Sequence, residues 1–337
     1  MKYVTLGKTG LKAAVVSFGG IPIQRSDAAN TKAVVDKLEQ YGMNYIDTAR
    51  GYTVSEEYLG AALEGRRDKF ILATKSMARD KESMARDIQT SLNNLRTDHI
   101  DVYQIHNLPE KQIDQVFGPG GAWEALEEAK VAGKVGHLGV TAHSADALAK
   151  MVELHGDKIE TVMFPYNIVE NQGVETLQKA KALGIATIAM KPLAGGNLED
   201  WELALKYIAA SGLMDISIPG MGSPEEVDRN AAAAEHFGPL TQEDLDKCEA
   251  IRKELGTQFC RRCGYCAPCP NGIDIPQNFL MANYARRYGL ADWARARYDA
   301  MPYHAGSCVQ CGACEKRCPY HLPIRDMLMD VAKVFGR

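Results

Sequence analysis

The sequence predicts an α/β protein in which a closed (β/α)₈ barrel, or TIM barrel, precedes a small α-helical domain rich in cysteine. The 337 residues are enough for about two domains. Eight alternations of a strand-like run with a helix-like run fill about 225 residues, the count and length of such a barrel. Eight of the nine cysteines then fall between Cys260 and Cys318. We therefore expect a barrel in residues 1–240, a linker helix in 241–256 and a second domain in 257–337.

The eight predicted strands are short runs of apolar or β-branched residues. Most do not alternate strictly between polar and apolar residues, as expected for parallel strands that are covered on both faces. A doubly wound open sheet is the alternative architecture, but no glycine-rich pattern follows the first strand. The predicted strands are 14–19, 44–48, 70–75, 100–106, 136–141, 161–166, 185–191 and 214–218.

Between and after these strands lie eight amphipathic stretches with helical periodicity. Ahead of them, residues 3–16 carry Gly7 and Gly10 between short apolar pieces, which predicts a hairpin that plugs the floor of the barrel. Residues 242–255 predict a further helix, in which we expect Cys248 to be a buried apolar residue rather than a ligand. The eight helices are predicted at 30–41, 55–64, 83–95, 122–132, 145–154, 174–183, 198–210 and 223–236.

Composition and charge exclude several classes of protein. Apolar residues make up 46% and charged residues 24%, which is typical of folded globular chains and not of disorder, collagen or coiled coil. The net charge of -4 offers no global basic field for nucleic acid or an anionic membrane. No secretory leader or apolar stretch of membrane-spanning length is found, so we expect a cytoplasmic protein. In that compartment, clustered thiols favour metal or redox ligation over disulfides.

The clustered cysteines form two runs, and each run ends in Cys-Pro. The spacing of the second run is C-x₂-C-x₂-C-x₃-C, the signature of bacterial ferredoxins, whereas the first has x₂ in its last gap. Zinc is the alternative, because tetrahedral sulfur sites also use C-x₂-C pairs. We expect two [4Fe-4S] clusters in a small ferredoxin-like domain, with the fourth ligands exchanged between the runs. The two predicted ligand sets are Cys260, Cys263, Cys266 with Cys318, and Cys308, Cys311, Cys314 with Cys269.

Charge is distributed to match such clusters. Residues 257–337 carry a net charge of +5, whereas the remainder of the chain carries -9. Two clusters with four thiolates each are anionic, so an internal partner for this basic segment is favoured over an external one. A solvated charged face is the alternative.

Four polar residues follow or end adjacent predicted strands of the barrel. Asp47, Lys75 and His106 end the second, third and fourth strands, and Tyr52 lies in the loop after the second. In a (β/α)₈ enzyme, catalytic groups lie at these carboxyl ends. An ammonium beside a phenol favours phenolate, so Lys75 lowers the pKa of Tyr52 while Asp47 keeps Lys75 charged. With His106 donating to a carbonyl oxygen, the set predicts a site that polarises a carbonyl and supplies a proton.

These residues lie in motifs that resemble the aldo-keto reductase family over about residues 1–236. The resemblance implies that Asp47, Tyr52, Lys75 and His106 form the family's catalytic tetrad, which reduces carbonyls with hydride from a nicotinamide cofactor. The whole chain resembles the branch of that family with a C-terminal ferredoxin extension. The matching segments are 45–52 (YIDTARGY), 55–60 (SEEYLG), 98–106 (DHIDVYQIH) and 218–220 (IPG).

The cofactor positions of the family match less well. Where its members hold the nicotinamide, this chain has Thr141-Ala142, Met163 and Met190, and methionine cannot hold an amide. Either His143 or Asn167 holds the ring instead, or a flavin occupies the barrel mouth. Lys191 is either a phosphate ligand or a partner in a salt bridge at the end of its strand. At the position where relatives bind a 2′-phosphate, Glu226 would repel it and accept from a ribose hydroxyl, which favours NAD(H) over NADP(H). The nucleotide positions expected here are Gly220, Gly222, Ser223, Glu226 and Asn230.

The leading functional prediction is an oxidoreductase that interconverts a carbonyl and an alcohol on a small molecule and exchanges electrons through the clusters. A one-electron carrier protein is then an expected partner, whereas nucleic acid and membrane are not. Two alternatives stay open: an electron-transfer or binding scaffold, and a non-redox lyase with structural clusters.

Overall fold

The computed structural model describes residues 1–256, 258–262, 264–287 and 290–336. The chain forms two compact units. The first consists of Met1–Ala194 and Leu198–Thr241, and the second of Gly195–Asn197 and Gln242–Arg337. Among the described residues, no helix is long and apolar enough to cross a membrane.

The first unit begins with an antiparallel hairpin of β1 (Tyr3–Thr5) and β2 (Lys12–Ala14). The hairpin packs its fully buried Leu6 and Ala13 into one cluster with apolar residues of the barrel strands. Gly7 has a φ of +44°, and a Cβ there would lie 2.3 Å from the Gly184 carbonyl oxygen, so the close approach requires glycine. The hairpin closes the barrel floor, as the sequence predicts.

Eight parallel strands follow, each hydrogen-bonded to its neighbours in chain order. The ring closes where the Ser17 amide donates to the Ser217 carbonyl at 2.8 Å and the Gly19 amide to the Pro219 carbonyl at 2.9 Å. The predicted (β/α)₈ barrel is confirmed, with its first and last strands shorter than expected. The strands are β3 (Phe18–Gly19), β4 (Tyr45–Asp47), β5 (Ile71–Ser76), β6 (Ile100–Ile105), β7 (Val135–Thr141), β8 (Thr161–Pro165), β9 (Ala186–Met190) and β10 (Ile216–Ser217).

Helices alternate with these strands and cover the outside of the barrel with their buried faces. Four begin one to three residues from the predicted start, because capping side chains set the first turn, as Asp27, Asp80, Asp200 and Ser223 do. The short α4 is not predicted from the sequence. The helices are α1 (Ala28–Tyr41), α2 (Ser55–Ala62), α3 (Lys81–Asn94), α4 (Ile113–Phe117), α5 (Ala122–Val131), α6 (Ala145–His155), α7 (Val174–Ala182), α8 (Trp201–Ala210) and α9 (Pro224–Glu235).

The described residues of the second unit form helices joined by turns and loops, without a strand. Its core includes Tyr298, whose ring stacks on Phe335 with centroids 4.0 Å apart and whose hydroxyl accepts from the Ala305 amide at 2.9 Å. Cys248 is fully buried, as expected. The helices are α10 (Gln242–Leu255), α11 (Ile275–Arg287), α12 (Ala291–Asp299), α13 (Ala313–Arg317) and α14 (Ile324–Phe335).

Candidate active site and iron-sulfur ligands

The structure brings the four predicted catalytic residues together at the barrel mouth. Asp47 is the last residue of β4, Lys75 lies near the end of β5, and His106 follows β6 directly. Tyr52 lies in the loop between β4 and α2. Because adjacent parallel strands end at the same face, three neighbouring strands suffice to assemble this group.

Lys75 and Asp47 form a buried ion pair. The Lys75 ammonium donates to Asp47 Oδ2 at 2.6 Å and to the Thr48 carbonyl at 2.7 Å. Only 2% of Lys75 and 3% of Asp47 are exposed. Burial lowers the pKa of Lys75 and raises the pKa of Asp47, and each effect is opposed by the other partner's charge. The carboxylate therefore holds the ammonium in one place, away from water.

Tyr52 lies between this ion pair and His106. The Lys75 ammonium is 5.0 Å from the centroid of the Tyr52 ring, and the His106 ring packs edge-on against that ring with centroids 5.9 Å apart. The tyrosine loop is tight, because the Tyr52 amide donates to the Ala49 carbonyl at 3.0 Å. A phenol, an ammonium and an imidazole are thus held in one cluster.

His106 is uncharged at neutral pH. Burial, together with the smaller effect of the positive charges of Lys75, Arg79 and Lys191, lowers its pKa to about 3. Its Nδ1 is buried without a hydrogen-bond partner among the described residues. A neutral imidazole can donate one hydrogen bond to a substrate oxygen without adding a charge to the site.

Two residues that support the site were missed by the sequence analysis. Glu56 is buried behind the Tyr52 loop, where it accepts hydrogen bonds from Thr74, Ser91, Arg50 and Asn94. Arg79 donates to the His106 carbonyl at 2.8 Å. A carboxylate in the segment 55–60 was visible as part of the family motif. Its role depends on partners from three other elements, which the sequence does not bring together.

The side chains expected to hold a nicotinamide ring form hydrogen bonds with other residues of the barrel. Thr141 Oγ1 accepts from the Asn107 amide at 2.7 Å, and His143 Nδ1 lies 2.8 Å from Asn107 Oδ1. Asn167 is fully buried and donates to Glu170 Oε2 and to the Lys191 carbonyl. Its amide therefore organises the loop after β8.

The expected nucleotide positions surround the start of α9. Ser223 caps the helix, and Glu226 Oε2 accepts from the Gly222 amide at 2.5 Å. Gly220 and Gly222 both lie against the Pro22 ring, and Asn230 is buried in the same helix. The carboxylate of Glu226 thus lies against a backbone amide at this helix start, where an incoming phosphate would meet its negative charge.

Cysteines from both runs face one cavity in the second unit. It is lined by Cys260, Cys266 and Cys318. Cys263, the remaining member of this predicted ligand set, lies outside the described residues. Two thiols of the first run and the last cysteine of the second therefore line the same cavity, although the described residues contain no group of three or more Cys, His, Asp or Glu side chains close enough to hold a metal ion. That convergence fits a cluster whose fourth ligand comes from the other run.

The other predicted ligand set lies around α13. Cys308 and Cys311 precede this helix, with Cys311 exposed, and Cys314 lies inside it. Arg317, in the same helix, donates to the carbonyls of Ala267 and Pro268 at 3.0 and 2.7 Å. The chain leading to Cys269 is thereby tied to the helix that carries Cys314.

Comparison with known proteins decides the family. The family model "Aldo/keto reductase family" matches residues 15–202, and the model "4Fe-4S dicluster domain" matches residues 259–323. The chain belongs to the aldo/keto reductase family. Its C-terminal part is a 4Fe-4S dicluster-type domain, as the two cysteine runs predict.

Relatives and solved structures of this reductase family cover the barrel. An L-galactose dehydrogenase of Arabidopsis thaliana is 28% identical over 73% of this chain and 92% of its own length. A 6-dehydroglucose reductase of Novosphingobium aromaticivorans is 28% identical over 62% of this chain and 74% of its own length. A solved aldo-keto reductase of Bacillus halodurans, in its holo form, superposes with a TM-score of 0.66 at 24% identity, covering 74% of this chain and 96% of that one.

Proposed function

We propose that this aldo-keto reductase interconverts a carbonyl and an alcohol on a small molecule through Asp47, Tyr52, Lys75 and His106, and exchanges electrons through two [4Fe-4S] clusters. The observation that carries the catalytic part is the buried Lys75 ammonium, held by Asp47 and 5.0 Å from the Tyr52 ring. A scaffold or binding protein has no need for a desolvated charge pair beside a phenol at the barrel mouth.

Tyr52 is the proton donor in this proposal. The nearby ammonium stabilises the phenolate that remains after the proton leaves, so the phenol is a better acid beside Lys75 than in water. In the reductive direction, a hydride brings two electrons to the carbonyl carbon and the Tyr52 proton goes to the carbonyl oxygen. The products are the alcohol and a Tyr52 phenolate, which takes a proton from solvent.

His106 orients the substrate. Since the pKa of this imidazole is lowered to about 3, it binds the carbonyl oxygen as a neutral hydrogen-bond donor. It thereby leaves proton transfer to the phenol, whose ring it packs against. Arg79 keeps His106 in position through the backbone carbonyl.

NAD(H) is the hydride carrier that we propose. A nicotinamide nucleotide supplies or accepts the hydride when it is bound, and the start of α9 provides its place. The Glu226 carboxylate at this turn disfavours the 2′-phosphate of NADP(H) and tolerates a 2′-hydroxyl. Thr141 and His143 lie at the positions that would contact the ring, whereas a flavin is the alternative carrier.

Two [4Fe-4S] clusters would be held by the exchanged ligand sets. A cluster of this kind takes up and releases one electron at a time. The two electrons of a hydride would therefore reach the clusters through a group that transfers both hydride and single electrons, which is the chemistry of a flavin and not of NAD(H). The cavity shared by Cys260, Cys266 and Cys318 supports the first set, and the bonds of Arg317 support the second. A soluble one-electron carrier protein is the partner that such a pair would serve.

The test uses anaerobically purified full-length protein. NADH oxidation is followed with a panel of aldehydes and ketones that includes aldoses and their oxidised forms, since two relatives are named for sugar substrates. Tyr52→Phe should lower turnover by about 10² or more and leave NADH binding unchanged. Tyr58→Phe, which removes a hydroxyl outside the site, is the matched control. Equal turnover of the two variants contradicts the proposal, and a flavin bound in place of NADH contradicts the carrier assignment.

A further inference from the structure

The cavity lined by Cys260, Cys266 and Cys318 has a mostly apolar lining that includes one charged side chain among the described residues. Most of the residues around it are apolar, including Ile275 and Phe279. Among the described residues that line it, Arg261 carries the only charged side chain. The side chain is buried, with 7% of the residue exposed.

The guanidinium of Arg261 is held on several sides. Its Nη1 donates to the carbonyls of Gly256 and Phe259 at 2.9 and 3.2 Å. Its Cζ lies 4.0 Å from the centroid of the Tyr320 ring, two residues after Cys318. Carbonyl oxygens and an aromatic face orient an arginine without removing its charge. The guanidinium is therefore held in one orientation at the cavity wall.

The other predicted ligand set, Cys308, Cys311, Cys314 and Cys269, has more exposed surroundings. Cys311 is exposed, and the Glu315 and Arg325 side chains are 23% and 43% exposed. Glu315 and Arg325 pair with each other at 2.8 Å. Arg317, which binds the carbonyls before Cys269, is itself exposed. Solvent and counter-ions screen such charges, whereas they screen a buried charge much less.

We propose that Arg261 tunes the cluster held by Cys260, Cys263, Cys266 and Cys318, so that this cluster has the higher reduction potential of the two and takes the first electron. Reduction adds one negative charge to a cluster, and a fixed positive charge in an apolar wall stabilises that reduced form. Electrons then pass from the solvent-exposed cluster to the cavity cluster. The inference rests on the proposed function, because it requires both clusters.

The experiment is a redox titration of the anaerobic full-length protein, followed by electron paramagnetic resonance. Two one-electron steps are expected, and the step perturbed in Cys318→Ser identifies the cavity cluster. Arg261→Gln should lower the potential of that step by about 59 mV or more, which is a tenfold change in a one-electron equilibrium. Arg261→Lys, which keeps the charge, should retain most of the potential. Arg317→Gln is the matched control, because it removes the same charge from an exposed position.

A measurement on the unaltered protein tests the inference even if the Arg261 variants fail to fold. Raising the salt from low ionic strength to 1 M should shift the potential of the exposed cluster and leave that of the cavity cluster nearly constant. The inference is wrong if the cavity cluster has the lower potential, or if Arg261→Gln and Arg317→Gln shift it equally. Protein without iron overturns both this inference and the cluster part of the proposed function. Two clusters with an inactive barrel overturn only the catalytic proposal.

Discussion

Replacing Asp47 with Asn tests how much the site depends on its buried ion pair. The substitution keeps the shape of the side chain and removes its charge, leaving the Lys75 ammonium buried with the Thr48 carbonyl as its remaining strong acceptor. Removing one partner of a buried pair costs about 3–5 kcal/mol. For a unit of this size, about 1 kcal/mol shifts Tm by roughly 2–4 °C, so the barrel should melt about 6–20 °C lower.

The matched control is Asp36→Asn. Asp36 pairs with Lys32 at 2.9 Å and with Arg66 at 2.6 Å on the surface of α1, where the Asp36 side chain is 46% exposed. Exposed pairs of this kind contribute about 0–1 kcal/mol, and the expected change in Tm is a few degrees at most. The two variants therefore remove the same charge from a buried ion pair and from an exposed carboxylate.

Differential scanning calorimetry of the full-length chain at pH 7 measures both variants. The double variant Asp47→Asn with Lys75→Met should recover part of the lost Tm, because it removes the unpaired charge as well. A Tm for Asp47→Asn within about 2 °C of that for Asp36→Asn would refute the reasoning. So would a double variant that is less stable than Asp47→Asn alone.

Three further predictions concern nucleotide choice, cluster ligands and pH. Titration by fluorescence should show tighter binding of NADH than of NADPH, and Glu226→Arg should reverse or abolish that preference. Tighter binding of NADPH by the unaltered protein contradicts the proposal that NAD(H) is the carrier. Anaerobically purified protein should contain about eight iron atoms, and its clusters should be magnetically coupled. Cys318→Ser should perturb the cluster of the first cysteine run. Perturbation of the second-run cluster, or zinc in place of iron, contradicts the exchange of fourth ligands between the runs. Because the folded-state pKa of His106 is about 3 and the unfolded value is 6.5, the unfolded chain alone gains this proton below pH 6.5. The free energy of unfolding should therefore fall as the pH is lowered from 6.5 to 3. This residue contributes a slope of up to about 1.4 kcal/mol per pH unit. His106→Gln should lack this component of the acid limb in chemical denaturation curves, and an unchanged limb contradicts the neutral imidazole.

The strand and helix pattern was predictable from the sequence because it is local. Apolar runs marked the eight barrel strands, and capping residues such as Asp27 and Asp80 account for helix starts that differ from the predicted ones. The order of the strands also follows from the sequence, since consecutive strand-helix repeats place each strand beside the next. The gathering of Asp47, Lys75 and His106 was predictable for the same reason, whereas their catalytic roles stay a prediction.

The two cysteine runs and the barrel motifs were sufficient for the family, because spacing and residue type carry that information directly. The comparisons confirm both the aldo/keto reductase barrel and the 4Fe-4S dicluster domain. Which thiols share a cavity was a hypothesis from the spacing. The position of Cys318 beside Cys260 and Cys266 depends on how the helices of the second unit pack.

The electrostatic state of the site was decided by the tertiary structure. Glu56 and Arg79 acquire their roles from partners far apart in the chain, and His106 is neutral because burial and three cations act on it together. The sequence does not distinguish Arg261 from the other arginines, whereas packing buries it in the wall of a cavity. The sequence by itself determined which residues are available and along which strands they lie. Burial and long-range contacts determined their charge, because desolvation depends on every element that packs around a group.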